Sequence, residues 1–257
     1  MKNNSFKYTL ILIDFIVNLF SLLTVNQFVM KKFITLICMG LFFISCSKDD
    51  NSSSSPILSN TPMAKAAYDS SNYGIYKGVF VGSTGNVLIN INNDGTISAT
   101  VVIDGVTYNF TTIESVSENQ YITGLTFTSG TMSFDFNVSA DGSNPYVSSI
   151  IISGHPNSTI AVVKEDSEHL VKCYQGTYSG DATGTLNLCV IENEINGLAK
   201  PNDDIYSIRL EGEVINNQVN GHFEGGTFSG TVNGNNISGT WQNIESENGT
   251  WTGTRTL

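Results

Sequence analysis

The sequence predicts an all-β protein: an antiparallel meander that is duplicated, folded either as one barrel-like roll of about 12 strands or as two packed small sheets. From about residue 73 onward, short runs of alternating apolar and polar residues follow one another, as expected for half-buried strands. Turn-forming pairs such as Asp104-Gly105 and Asn233-Gly234 separate the runs. No stretch beyond that point places apolar residues at helical spacing.

An internal repeat divides this region in two. Residues 76–80 (YKGVF) are similar to residues 174–178 (YQGTY), which begin 98 residues later, and an alternating strand pattern follows each copy. The sequence therefore predicts two β repeats, residues 73–168 and residues 169–257.

Glycines recur between two large apolar residues on the same face of a predicted strand. A glycine in the middle of such a triplet leaves space for an aromatic ring from the next strand, and it lets the strand coil sharply. The triplets therefore predict a curled sheet with a narrow interior. They are Tyr76/Gly78/Phe80, Tyr174/Gly176/Tyr178, Val219/Gly221/Phe223, Phe228/Gly230/Val232 and Ile237/Gly239/Trp241.

Six aromatic residues of the second repeat share the inward parity of their strands. Such side chains usually fill the core of a small barrel, but they can also line a cavity for an apolar ligand, and both interpretations stay open. The six are Tyr174, Tyr178, Phe223, Phe228, Trp241 and Trp251.

The N-terminal part of the chain has the organisation of a secretory signal when it is read from Met30. Lys31 and Lys32 form a positive n-region, and residues 33–45 form an apolar run. That run is shorter than the roughly 20 residues of a membrane-spanning helix, but it suits a secretory h-region of about 7–15 residues.

This organisation sets the expected boundaries at the N-terminus. We expect residues 1–29 to be a start-site artefact and residues 30–45 to be a lipoprotein signal peptide. Residues 46–72 begin with a segment rich in Ser, Asn and Asp and are expected to form a flexible tether.

Residues 43–46 (FISC) resemble a lipobox, in which a small residue precedes the Cys that is acylated after cleavage. The resemblance implies lipidation at Cys46, and two or three acyl chains would anchor the protein stably. The four following residues are similar to the acidic export signal of surface lipoproteins of the Bacteroidota, which implies an outer-membrane protein facing the cell exterior. The alternatives are a transmembrane anchor or an ordinary signal peptide. The export signal would consist of Ser47, Lys48, Asp49 and Asp50.

The C-terminal strands carry a second resemblance. Residues 226–241 and 249–253 look like the strand pairs of small β-barrel surface lipoproteins, including the barrel domains of the transferrin-binding-protein type. They are more loosely similar to avidin- and lipocalin-like barrels. The resemblance implies a barrel, but it carries no ligand-binding motif of those families.

The charge of the exported chain excludes one class of partner. After the predicted cleavage it has 8 basic and 22 acidic residues, a net charge of −14. Nucleic acids and anionic lipid headgroups need a cationic protein surface. We therefore expect no nucleic-acid partner.

Cys173 and Cys189 are predicted to lie opposite each other if a turn centres on residues 180–183. Cross-strand cysteines are close enough to be bridged, and an exported protein meets an oxidising environment. We expect a disulfide, the alternative being two free half-buried thiols. Because no His adjoins either Cys in the sequence, a catalytic thiolate is not expected.

The remaining ionisable residues show no catalytic or metal-binding pattern. Three His residues, His155, His169 and His222, lack partners at zinc-ligand spacing. Glu211 and Glu213 share a strand face at about the separation of an inverting glycosidase pair, but we expect them on a charged outer face. Four turn carboxylates offer oxygen ligands for Ca²⁺ without the spacing of a known calcium loop. These are Asp94, Asp141, Asp203 and Asp204.

Together these observations favour a non-enzymatic lipoprotein of the outer membrane that acts as a binding or structural module. We expect no catalytic residue, no metal and no cofactor. The expected partners are the outer membrane, through the lipid anchor, and a glycan, a small apolar ligand or a protein. A lipocalin-like carrier of a small apolar ligand is the alternative, and a glycan hydrolase ranks last.

Overall fold

In the computed structural model, which describes residues 58–257, nearly all regular structure is β-strand. A short 3₁₀ helix, Ala66–Tyr68, is the one helical element in that range. None of the described residues forms a helix with the length and apolarity needed to cross a bilayer. The predicted signal peptide, Cys46 and the export signal lie outside the described residues and stay predictions.

Sixteen strands form two eight-stranded antiparallel sheets, which confirms the predicted all-β fold and its duplicated meander. The first sheet contains β1 (Gly74–Val81), β2 (Thr84–Ile91), β3 (Ile97–Ile103), β4 (Val106–Thr111), β5 (Ile122–Ser129), β6 (Met132–Val138), β7 (Tyr146–Ile151) and β8 (Thr159–Glu165). The second contains β9 (Lys172–Gly180), β10 (Gly184–Ile191), β11 (Glu194–Pro201), β12 (Ile208–Ile215), β13 (Gln218–Phe223), β14 (Gly226–Asn233), β15 (Asn236–Asn243) and β16 (Asn248–Arg255).

Of the two predicted alternatives, the chain adopts the two packed sheets, with 16 strands in total rather than one roll of about 12. Three of the seven connections in the first sheet and four of the seven in the second are only two residues long, so each half of the chain accommodates eight strands. The first sheet lies within residues 73–168 and the second within residues 169–257, the two segments that the repeat predicted.

The two sheets differ in closure. In the second, every strand pairs with its neighbours in sequence and β9 also pairs with β16, which completes a closed barrel. In the first, β8 pairs with β1, but β7 and β8 do not pair and remain the two edges of a curled sheet. Only the second sheet therefore encloses its interior with an unbroken ring of hydrogen-bonded strands.

Each sheet buries its own apolar face. The core of the first includes Tyr76, Phe110 and Phe134, each with no exposed surface. The core of the second includes Leu188 and Trp251, exposed by at most 1%. The inward-facing apolar residues of each sheet therefore form a separate core.

Close strand approach in the second barrel depends on glycine. A Cβ atom at Gly221 would lie 2.1 Å from Cζ of Phe228, and one at Gly230 would lie 2.7 Å from Cζ2 of Trp251. Both distances are far below van der Waals contact. These two glycines make space for aromatic rings, as the triplet pattern predicted.

The outer face of β1 packs against the outer faces of β9 and β10. All eight residues of β1 are buried, whereas β14 alternates between buried or half-buried and exposed positions. A small third cluster at this contact contains Val79, Val171, Cys173 and Cys189. Nδ2 of Asn187, on β10, donates to the carbonyl oxygen of Phe80 at 2.7 Å and links the two sheets through a buried hydrogen bond.

Residues 58–72, at the end of the predicted tether, are attached to the first sheet. Lys164 donates its ammonium to the carbonyl oxygens of Tyr68 and Asp69, at 2.7 and 3.2 Å. The Asp69 carboxylate in turn accepts from the backbone N–H of Ser167 at 2.9 Å. The rest of the predicted tether, residues 46–57, lies outside the described residues.

Candidate functional site

The second barrel contains a half-open cavity of about 170 Å³ at one end. An eight-stranded barrel has room for filling side chains or for one small ligand, and an apolar cavity of about 150 Å³ is enough to hold benzene. Eleven of its thirteen lining residues are apolar or aromatic, and the other two are Asn243 and Glu247. The eleven are Tyr178, Ala182, Leu186, Ala199, Pro201, Ile208, Leu210, Phe223, Phe228, Trp241 and Trp251.

Five of the six aromatic residues predicted to face inward line this cavity, and Tyr174 lies in the same core without lining it. Their rings meet edge to face: the centroids of Tyr178 and Trp241 are 6.0 Å apart, as are those of Phe228 and Trp251. Nε1 of Trp241 donates to the carbonyl oxygen of Ser179 at 3.2 Å, and Nε1 of Trp251 to that of Thr240 at 3.1 Å. Since both indole donors are used by the backbone, the tryptophans offer ring surface to the cavity.

Glu247 is the one charged side chain that lines the cavity. Its Oε2 accepts a hydrogen bond from Nδ2 of Asn243 at 2.7 Å, and its backbone N–H donates to Oδ1 of the same Asn at 2.9 Å. The last residue of β15 therefore holds the carboxylate at the edge of the cavity. Among residues 58–257, no group donates to its Oε1.

Acidic residues surround the open end of the barrel. In an up-and-down barrel alternate connections emerge at the same end, and here they are residues 181–183, 202–207, 224–225 and 244–247. These four loops contain six acidic residues and no basic one, and we call the six the acidic rim. The acidic rim consists of Asp181, Asp203, Asp204, Glu224, Glu245 and Glu247.

The charge of the acidic rim acts on the cavity wall. Burial, together with the nearby carboxylates of Asp203 and Asp204, raises the pKa of the Tyr178 hydroxyl to about 12. Lys200, at the end of β11, is the nearest basic residue in sequence, and it donates to the carbonyl oxygen of Asp204 at 2.6 Å. Three large apolar side chains are exposed on the same loops. They are Ile205, Tyr206 and Ile244.

Cys173 and Cys189 lie directly opposite each other on β9 and β10, as their spacing predicted. Their Sγ atoms are 2.9 Å apart as free thiols, and both residues are buried rather than half-buried because the first sheet covers them. Burial raises the pKa of the Cys189 thiol well above its usual value, which disfavours a reactive thiolate. The disulfide itself stays a prediction.

One group of three potential metal ligands occurs among the described residues: Asp166, His169 and Glu192. Nδ1 of His169 lies 2.9 Å from both carboxylate oxygens of Asp166 and 3.1 Å from Oε1 of Glu192. Hydrogen bonding to Asp166 raises the pKa of His169, which favours the protonated ring that forms an ion pair with both carboxylates. A divalent cation at these three atoms would have to displace that proton.

The other candidate carboxylates lie apart from the cavity or at its rim. Glu211 and Glu213 are exposed on the outer face of β12, where Glu211 accepts from Nε of Arg209 at 2.7 Å. Hydrogen bonds from Thr96 and Asn90 lower the pKa of Asp94, and those from Ser143 lower the pKa of Asp141. Asp94 and Asp141 therefore stabilise the turns in which they lie, whereas Asp203 and Asp204 belong to the acidic rim.

Sequence reasoning missed two features of the site. Glu247 and Asn243 carry no motif, and only the pairing of β15 with β16 brings them to the barrel end. Glu192 joins Asp166 and His169 from a separate hairpin, so the spacing of the His residues gave no signal for that group.

Comparisons with known proteins add no relative: no protein-family model matches the chain, and neither a curated protein nor a solved structure shows significant similarity to it. The resemblances to a lipobox and to small surface barrels therefore stay expectations.

Proposed function

We propose that this chain is a lipid-anchored outer-membrane protein that carries a small apolar ligand in its second barrel. The observation that supports this best is the half-open cavity lined by five aromatic side chains. Cys46 and the acidic segment that follows it support the proposed location. The ligand would be about the size of one substituted aromatic ring, since a slightly smaller apolar cavity holds benzene.

The energetic cost of the cavity favours binding over a purely structural role. The apolar side chains around this half-open space of about 170 Å³ lack packing partners on one side, which costs dispersion energy. A barrel that served only as a scaffold would gain stability from larger side chains at Ala182 and Ala199, which line the cavity. An apolar ligand in this space supplies the missing contacts and removes apolar surface from water.

The experiment is a titration of the exported chain, residues 46–257 with Cys46→Ala, with propylbenzene. This chain retains all of the described residues, 58–257, and the only two tryptophans of the sequence, Trp241 and Trp251, both line the cavity. Binding should change tryptophan emission and raise Tm by about 5–10 °C at 100 times the Kd, because such saturation adds about 2.7 kcal/mol and each kcal/mol shifts Tm by about 2–4 °C.

A cavity-filling variant provides the matched control. Ala182→Phe places a ring in the cavity mouth and should abolish the emission change, whereas Thr183→Phe adds the same ring at an exposed neighbour outside the lining. Absence of binding by the unsubstituted chain, or equal binding by both variants, would refute the carrier proposal.

The proposed location has its own test. Cys46→Ala should abolish incorporation of a labelled fatty acid, and protease added to intact cells should digest the wild-type protein. Retained labelling of the variant would refute acylation at Cys46. Protection of the wild-type protein from the protease would refute surface display.

A further inference from the structure

The cavity of the second barrel is apolar inside and negatively charged at its edge. Glu247 is half-buried and fixed by two hydrogen bonds with Asn243, at 2.7 and 2.9 Å. Since Oε1 accepts nothing from residues 58–257, the carboxylate retains one free acceptor. A ligand group that meets this oxygen has to be a hydrogen-bond donor, and a positive charge strengthens such a bond.

The aromatic side chains that line the cavity also favour a positively charged ligand. The indole N–H groups of Trp241 and Trp251 donate to backbone carbonyls, so they offer no donor to an anion in the cavity. The faces of indole and phenol rings carry negative potential and attract ammonium groups. An anionic ligand would find no cation and no free indole donor in this wall, and the Tyr178 hydroxyl would be its one aromatic donor.

The distribution of charge between the two ends of the barrel also favours a cationic ligand. The acidic rim contributes six carboxylates and no basic residue to the loops at the cavity end. The opposite end, formed by residues 192–193, 216–217, 234–235 and the segment 166–171 that leads into β9, carries three carboxylates, Asp166, Glu168 and Glu192, together with His169. A concentration of one sign of charge around a low-dielectric opening raises the local concentration of counter-ions. The cavity end therefore attracts cations and repels carboxylates such as those of fatty acids.

We propose that the ligand of the second barrel is a small amphiphilic cation, an aryl- or alkylammonium compound. Its apolar part lies between Trp241 and Trp251, and its ammonium group donates to Glu247. This inference rests on the proposed carrier function and specifies the class of ligand. Glu247 acts as the residue that determines specificity for the cation.

The test compares three probes of similar shape: phenethylammonium, propylbenzene and 3-phenylpropanoate. The Kd of each is measured from tryptophan emission with the exported chain described above. Phenethylammonium should bind about tenfold or more tightly than propylbenzene, because a hydrogen bond to a charged group contributes about 1.5–3 kcal/mol, which corresponds to about 10–140-fold. 3-Phenylpropanoate should bind more weakly than propylbenzene.

Two variants locate the preference. Glu247→Gln keeps an acceptor for Asn243 and removes the charge, so it should bring the Kd of phenethylammonium close to that of propylbenzene. Glu245→Gln removes the same charge from the same loop at an exposed residue outside the lining and should preserve most of the preference.

The outcomes separate this inference from the carrier proposal. Binding of propylbenzene without tighter binding of phenethylammonium would overturn the cation preference and leave the carrier proposal standing. A preference that survives Glu247→Gln unchanged would overturn the role of Glu247. Failure of all three probes to bind would overturn both proposals.

Discussion

At the scale of single residues, Lys77 and Glu165 form a buried ion pair at the contact between the two sheets. Their side chains are 2% and 0% exposed, and the ammonium donates directly to Oε2 of Glu165. Glu165 also accepts from the backbone N–H groups of Met63 and Val171, at 2.6 and 3.0 Å. Removal of either partner leaves a desolvated charge without its counter-ion.

We predict that Lys77→Met and Glu165→Gln each lower the free energy of unfolding by about 3–5 kcal/mol. The double variant should lose clearly less than the sum, because it leaves no unpaired charge. Urea unfolding of all four proteins measures the coupling. Lys172→Met, an exposed lysine on β9, should change stability by at most about 0.5 kcal/mol; additive losses would contradict this account of the pair.

Burial of Lys77 was not predictable from its own strand. The alternation of β1 places Tyr76 and Phe80 on one face and Lys77 on the other, and a lysine is ordinarily exposed. The second sheet covers that face, and alternation within one strand contains no information about such a partner. The aromatic residues of the cavity were predictable for the same reason that Lys77 was not: their orientation depends only on their own strands.

The ion pair between His169 and Asp166 makes the stability of the fold depend on pH, and the directions of the pKa shifts give the sign of that dependence. The hydrogen bond from Asp166 raises the pKa of His169. Burial by itself raises the pKa of Asp166. Hydrogen bonds from His169 and from backbone N–H groups outweigh burial, so the pKa of Asp166 is lowered. A His with a raised folded pKa stabilises the fold below its unfolded pKa of about 6.5, and this contribution is lost as pH rises through the folded value.

We therefore predict that Asp166→Asn lowers the pKa of His169 towards its ordinary value while Oδ1 keeps its backbone contacts. An NMR titration of the His169 ring measures the change. Glu224→Gln removes a carboxylate from the opposite end of the barrel and should leave the titration unchanged. An equal effect of the two substitutions would show that the pair does not set this pKa.

At the scale of elements, the β9–β10 hairpin brings Cys173 and Cys189 into register. We predict that the exported protein contains this disulfide and that reduction lowers the free energy of unfolding by about 3 kcal/mol, the value expected for a loop of about 15 residues. The measurement is urea unfolding with and without reductant, with Cys173→Ala as the control that reductant should not affect. Free thiols in the protein isolated from the cell surface would contradict the prediction.

Features that depend on one pair of strands were predictable from the sequence, whereas contacts between distant segments were not. Gly221 and Gly230 predicted the narrow interior because a missing Cβ matters within one pair of strands. The strand total was underestimated because two-residue connections without a predicted turn, such as residues 192–193 and 216–217, divide what reads as one alternating run. Closure of the second sheet depends on the pairing of β16 with β9, a contact between distant segments that no local pattern encodes.

At the scale of the whole molecule, the two sheets pack against each other, but their interiors differ. The first is an open, curled sheet with a core of aromatic and aliphatic side chains, whereas the second is closed and holds a cavity at its acidic end. The sequence predicted the duplication and left open whether the aromatic residues fill the core or line a cavity. Only the relative positions of strands around the barrel decide that question, because they determine whether facing side chains meet.

The most direct measurement is a crystal structure of the protein soaked with 4-bromotoluene and recorded at the bromine absorption edge. The account predicts an anomalous peak inside the second barrel, between Trp241 and Trp251, with the strands unmoved. A barrel whose side chains close the space, or a peak that occurs only on the outer surface, would contradict the claim that this cavity is a ligand site.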